Sequence, residues 1–196
     1  MRKMKTEITY FDEPGKQNTK KTVELAIRRA TARRIRHIVV ASGTGRTGVM
    51  VAEKAAKKGM NTVVVTYYFG FEKKGEGTLT QENLDKLRKL NAKIVSATHA
   101  LSGIERAVTK KFGGLSRVEV IAEALRSLFG QGVKVCVEVG VMAADSGCIP
   151  VDDKTEIIAI AGTDEGADTA VVMRPSNANA FFDLEIREII AMPRKR

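Results

Sequence analysis

Tryptophan is absent from this 196-residue chain, and cysteine and histidine occur only twice each. Cys136 lies inside an apolar run and Cys148 follows a turn, so the pair offers neither a disulfide framework nor a C-x-x-C motif, and a reducing, cytoplasmic setting is expected. The two histidines, His37 and His99, are far apart and joined by no cysteine. Asp145, Asp164 and Asp168 fall in loops near strand ends without the spacing of a metal site, so cap or turn duty is expected of them and no metal. Only four prolines occur and no low-complexity tract, which leaves no candidate linker; one domain spanning residues 1–196 is the expectation. No apolar run is long enough to span a bilayer, and the basic N-terminal start runs into Glu7, Asp12, Glu13 and Pro14, which breaks any signal-peptide pattern. Only three glutamines stand among the many Lys, Arg and Glu, in keeping with a heat-adapted source.

What is present is ordinary globular composition, 43% hydrophobic and 29% charged, with a formal net charge of +10. Such an excess raises nucleic-acid binding as a function class. Its location weakens that reading: residues 1–40 hold 11 Lys/Arg against 4 Asp/Glu, and Arg194, Lys195 and Arg196 end the chain, so the remainder is balanced at 19 and 19. The excess belongs to one helix and the two tails, where a solvated face is the simpler account.

Short β-branched runs alternate with amphipathic stretches, the pattern of parallel strands joined by crossover helices. The spacing predicts helices over 19–34, 47–58, 81–90, about 103–111 and 117–129, the last two opened by capping boxes at Ser102/Glu105 and Ser116/Glu119. It predicts strands over 37–41 (HIVVA), 62–66 (TVVVT), 93–96, 133–141 (VKVCVEVGV) and 157–161 (IIAIA), a returning strand over 169–173 and an edge strand near 184–191. A paired edge there would make a homo-oligomer plausible.

The most informative segment is Ser42-Gly43-Thr44-Gly45-Arg46-Thr47-Gly48, between the first strand and an alanine-rich helix. Its glycines let a ligand approach the backbone, its hydroxyls and Arg46 donate hydrogen bonds, and helix-start N–H groups favour an anion, so a phosphate is the expected occupant. Gly43, Gly45 and Gly48 satisfy G-x-G-x-x-G, but the second strand ends Val65-Thr66-Tyr67 without a ribose-binding acid, which disfavours NAD and leaves NADP weakly supported. No Lys-Ser or Lys-Thr follows, so an ATP-type loop has no support. Thr66, Tyr67 and Tyr68 lead into an aromatic group with Phe69 and Phe71, four of the chain's ten aromatics, which either stack a planar ring or cover the sheet end or a subunit contact. Phosphate loop and aromatics together favour flavin mononucleotide (FMN) over a sugar phosphate. Asp145, Gly162 and Thr163 are further contact candidates from neighbouring loops, His99 is a candidate acid–base group, and Asn18 an outlying one beside its N-cap reading.

The block IVVASGTGRTGVMVAEKAAKKGMNTVVVT resembles the C-terminal α/β domain of pyruvate kinase, whose T-x-S-G-R-S-A loop occupies the same place. Ser42 falls on the Thr, Thr44 on the Ser, Gly45 and Arg46 on the Gly-Arg, Thr47 on the second Ser and Gly48 on the Ala. A weaker match covers GCIPVDDKTEIIAIAGTDEGADTAVVMRP, and the similarity runs over roughly residues 19–175 with insertions around 68–80 and 100–132. The resemblance implies a three-layer α/β/α fold with a mixed, mostly parallel sheet of about five core strands in the order 3-2-1-4-5, the last antiparallel. Taken with the strands above, it implies that the loops 42–48 and 142–147 face each other across the crevice between the first and fourth strands. The family's catalytic barrel has no counterpart, so a stand-alone domain without pyruvate kinase activity is implied. In some pyruvate kinases the matching loop holds a phosphate of an allosteric sugar bisphosphate, which makes a non-catalytic sensor of sugar phosphates the alternative to an FMN or other nucleotide-binding protein. No nucleophile, base and oxyanion set can be assembled from the sequence, so whether the chain is an enzyme stays open.

Overall fold

A computed structural model describes residues 5–195. In chain order the elements are β1 (Thr9–Phe11), a 3-10 turn (Lys16–Asn18), α1 (Thr19–Arg33), β2 (His37–Ala41), α2 (Arg46–Ala56), β3 (Asn61–Thr66), α3 (Gln81–Lys89), β4 (Lys93–Ser96), α4 (Gly103–Phe112), α5 (Arg117–Phe129), α6 (Gln131–Asp145), β5 (Ile157–Ala161), β6 (Thr169–Arg174), a 3-10 segment (Ala178–Asp183) and β7 (Glu185–Pro193). The strands form one sheet in the order β1-β7-β6-β5-β2-β3-β4. β2 pairs in parallel with β3 on one side and β5 on the other, while β6 runs antiparallel to both β5 and β7. The five-strand core order 3-2-1-4-5 with an antiparallel last strand therefore holds, with 157–161 in fourth place and 169–174 as the antiparallel fifth, extended to seven strands by β7 and β1.

The period of two in the buried strands divides the interior into two cores. Ile38 and Val40 of β2, with Ile158 and Ile160 of β5, point toward α1 and α2 and pack with Val23, Ala26, Val51 and Ala52. Val39, Ile157 and Ala159 point the other way, toward Cys136, Val137 and Ala143 of α6. Helices on both faces with the sheet between give the α/β/α arrangement. α5 packs chiefly on α6, so this side is two helices deep.

Two expectations are corrected. Residues 133–141 are not a strand but the middle of α6. The alternation of Val133, Val135, Val137, Val139 and Val141 mimics a strand, yet valine disfavours a helix by only about 0.5 kcal/mol each, whereas fully burying one is worth roughly 1.5–3 kcal/mol. Four of the five are buried in the helix. The sheet-facing side of α6 is narrow: Gly132, Cys136 and Gly140 stand four residues apart, and a Cβ on Gly132 would lie 2.0 Å from Thr169 Oγ1, on Gly140 2.6 Å from Met173 Sδ. Small residues at that spacing let the helix axis approach the strands, a packing that alternation alone does not reveal.

The second correction concerns the sheet edge. The 184–191 segment is β7, but its outer side is taken by β1, in parallel register Thr9↔Ala191, Tyr10↔Met192 and Phe11↔Pro193. Residues 9–11, where no strand is predicted from sequence, supply the edge strand, and an unpaired β7 no longer argues for self-association. Of the two expected capping boxes, Ser116/Glu119 forms both bonds, whereas Ser102 caps α4 without any side-chain bond.

Candidate functional site

The parallel strands β2, β3 and β5 bring their carboxyl ends to one edge of the sheet, and the strand order changes direction at β2, where a crevice opens. A cavity of about 680 Å³ lies there, within the range of small-molecule sites. One wall is the turn after β2, with Ser42, Gly43, Thr44, Arg46 and Thr47. The facing wall is α6, and Ser102, Arg106 and Arg126 from the α4 and α5 region border it.

The turn wall is built from backbone. Gly45 has φ 89°, a left-handed conformation, and a Cβ there would lie 2.5 Å from Leu79 and 2.7 Å from Asn83. Ser42 Oγ accepts the Gly48 N–H at 3.1 Å, and the first intrahelical bond runs from Val49 N to Gly45 O. The Arg46 and Thr47 N–H groups precede that bond, so they belong to the first helical turn, whose donors have no partner within the helix. Behind them, Thr66 and Thr78 hydroxyls both donate to Gly43 O at 2.8 Å, and Asn83 donates to Thr44 O at 2.9 Å, holding the turn in shape. Arg46 reaches across to an ion pair with Glu165 of the β5–β6 turn, and Lys16 pairs with the same carboxylate at 3.0 Å. Those two cations hold the Glu165 carboxyl below the usual range. A carboxylate thus already occupies a cationic corner at the start of α2.

The α6 wall is built from side chains. Gln131, Lys134, Val135, Glu138, Val139 and Met142 recur at helical spacing and line the cleft as one face. Lys134 Nζ donates to Glu138 Oε2 at 2.7 Å, with the two side chains only 4% and 5% exposed, and Glu138 Oε1 accepts the Leu101 N–H at 2.9 Å. Burial pushes the Lys134 ammonium below the usual lysine range, opposed by Glu138 and assisted by Arg126 and Arg106.

Between the walls lies an aromatic cluster. Tyr67 stacks on Phe71 with centroids 4.1 Å apart and planes within 12°, and His99 lies 5.1–5.6 Å from Phe71, Tyr68 and Tyr67. Burial lowers the affinity of His99 for a proton, with Glu138 pulling the other way, and burial followed by Glu72, Asp164 and Glu138 raises the Tyr67 hydroxyl.

Of the residues expected from sequence, Ser42, Gly43, Thr44, Arg46, Thr47, Thr66, Tyr67 and Gly162 line the cleft, with His99 and Asp164. Gly45 and Gly48 shape the turn from behind, a Cβ on Gly48 meeting Val64 at 2.7 Å. Tyr68 joins the ring cluster without lining the cavity. Thr163 borders a separate hollow of about 50 Å³ and donates its N–H to Asp168. Asp145 is misplaced by the strand reading. It ends α6 near the amino ends of the strands, where Asn61 and Lys93 both donate to Cys148 O, and it accepts bonds from Asn177 and Ala178. The loop 142–147 accordingly does not face the turn; α6 does. Asp168 is fully buried and ties Gly15, Thr163 and Thr169 together, and Asn18 stands at the N-cap of α1 without a side-chain cap bond, donating instead to Glu13 O.

Lys134, Glu138, Arg106, Arg126, Lys16 and Glu165 were not expected. The available signal was the i, i+4 spacing of Lys134 and Glu138, the only charges in VKVCVEVGV, which shares a face only in a helix. On the opposite side of the molecule, Arg29 and Arg33 of the basic helix α1 form ion pairs with Glu188, and Arg33 also pairs with Glu156, so part of the basic excess is neutralised internally. Arg196 and residues 1–4 lie outside the described residues. Among the described residues no cluster of three His, Cys, Asp or Glu is placed to hold a metal, and no helix is long and apolar enough to cross a membrane.

The family model of the pyruvate kinase alpha/beta domain matches residues 20–173, which spans α1 through β6 and includes both walls of the cleft. With the five-strand core, its antiparallel last strand and the Ser42–Gly48 turn all inside that match, the chain belongs to the pyruvate kinase alpha/beta domain family.

Proposed function

We propose that the cleft binds a phosphorylated small molecule with its phosphate at the Ser42–Gly48 turn. The observation that supports this reading is the corner where Arg46 and Lys16 share the Glu165 carboxylate beside the first turn of α2. Helix-start N–H groups and two cations suit an anion, and Glu165 acts there as an internal competitor that a dianionic phosphate displaces. The aromatic cluster spends ring surface on itself through the Tyr67–Phe71 stack, so the phosphate corner carries the reading more than ring stacking does. FMN and a sugar phosphate are the two ligand types to be separated.

Calorimetric titration with FMN, riboflavin and a hexose bisphosphate tests this. Phosphorylated ligands should bind and riboflavin should not. Arg46→Ala should weaken them by about tenfold to a hundredfold, the worth of a charge-assisted hydrogen bond of ~1.5–3 kcal/mol, while Glu165→Gln should tighten them. Equal affinity for FMN and riboflavin, or indifference to Arg46→Ala, would sink the reading. Native mass spectrometry of the co-purifying ligand, with absorbance for flavin, separates the two ligand types.

A further inference from the structure

We propose that Lys134 is a reactive amine of this cleft, forming an imine with the carbonyl carbon of a phosphorylated aldehyde or ketone while Glu138 moves the protons. The inference rests on the phosphate reading for the far end of that ligand, and narrows its class.

Three features of α6 carry it. Lys134 and Glu138 lie on the helix face that lines the cavity, opposite the Ser42–Gly48 turn, so one molecule can touch both walls. Among the described residues Lys134 Nζ has a single hydrogen-bond acceptor, Glu138 Oε2, although an ammonium carries three donors. The pair is also placed where an apolar pair would serve stability as well or better, because taking two charges out of water offsets most of their attraction. An ion pair retained in a cleft wall is more simply explained by chemistry than by folding. Burial supports the assignment by favouring the neutral amine, as do the Arg106 and Arg126 guanidiniums, with the Glu138 carboxylate opposing.

The step balances within the site. Glu138 takes a proton from the Lys134 ammonium across their 2.7 Å bond. The neutral amine adds to the carbonyl carbon, and its proton passes to the oxygen to give a carbinolamine. The Glu138 carboxylic acid returns its proton to the leaving hydroxyl, water departs, and the nitrogen–carbon double bond forms as a protonated imine beside the regenerated carboxylate. Ammonium and carbonyl compound become iminium and water, with no oxidant or co-reactant.

Pyridoxal phosphate and pyridoxal are the probes, each incubated with the protein, reduced with borohydride and mapped by peptide mass spectrometry. Pyridoxal phosphate should give one adduct, at Lys134, forming at least about tenfold faster than with pyridoxal, as a phosphate contact of ~1.4 kcal/mol implies, and competed by inorganic phosphate. Lys134→Met alone strands a buried carboxylate, so the control is the double variant Lys134→Met/Glu138→Gln, which keeps an acceptor for Leu101 and no buried charge. It should still fold cooperatively, with a melting profile far closer to the parent's than that of Glu138→Leu, and take no label. Lys134→Arg, which keeps the charge but cannot form an imine, should likewise take none. Labelling spread over surface lysines, or none, overturns the inference and leaves the phosphate reading standing. Labelling of Lys134 at equal rates by both probes upholds the amine and overturns the phosphate reading.

Discussion

The two walls of the cleft reach the same edge of the sheet by opposite means. The turn wall presents backbone N–H groups and hydroxyls, shaped by glycines that lie within seven consecutive residues. The α6 wall presents a buried ammonium and carboxylate, positioned by a helix whose other side rests on the strands through Gly132, Cys136 and Gly140. The first is a short stretch of chain held in shape by a few side chains beside it, Thr66, Thr78 and Asn83; the second depends on a whole helix packed on the strands. A ligand held between them would meet one wall that follows a short stretch of chain and another that follows the whole fold.

The largest effect expected from that contrast is on α6. Glu138→Leu leaves the Lys134 ammonium buried without its carboxylate and the Leu101 N–H without its acceptor, and should cost about 3–5 kcal/mol in denaturant unfolding. The double variant Lys134→Met/Glu138→Gln should lose far less, and equal losses would mean that the pair is not electrostatically coupled. Next comes the turn. Gly45→Val puts a β-branched side chain at φ 89° against Leu79 and Asn83, at a cost of about 1–3 kcal/mol, with loss of phosphate-ligand affinity. If the walls are independent, combining Gly45→Val with Lys134→Met/Glu138→Gln should give losses that add to within about 0.5 kcal/mol. Coupling beyond that would blur the distinction between them.

The smallest effect is a pH dependence at the base of the cleft. His99 binds its proton less readily in the folded protein than at its ordinary value of 6.5, chiefly because it is buried. The unfolded chain therefore takes up the proton first as pH falls. The associated stability is complete above pH 6.5 and is lost as pH drops through the lowered folded value. His37, lowered by burial and by Lys93, contributes in the same window, so His99→Phe should flatten the stability curve below pH 6.5 without abolishing its slope.

The turn wall was legible because its signals are local: Gly45 and Gly48 flank Arg46 and Thr47 directly after HIVVA, and strand, turn and helix follow each other without interruption. The five core strands other than the misread segment were legible for the same reason, each a short apolar run bounded by turns. VKVCVEVGV was not, because alternation satisfies the strand pattern while the residues that decide for a helix, Gly132 and Gly140, act only through Thr169 and Met173, strands later in the chain. That one misreading displaced Asp145 to the wrong end of the sheet and hid Lys134 and Glu138 together. β1 escaped notice because three residues, Thr9–Phe11, carry too little pattern, and their partner β7 lies at the other end of the sequence.

That last pairing bears on how the molecule comes together during synthesis. β1 is made before the other strands of this sheet, yet the residues it pairs with, Ala191 to Pro193, are made after β2 through β6. A contact between residues so far apart in sequence is expected to form late, onto a sheet already assembled from β2 through β7. Until then β7 has one edge bare, and a nascent chain is at its most vulnerable to pairing with a neighbour in the interval before its own beginning returns to cover it.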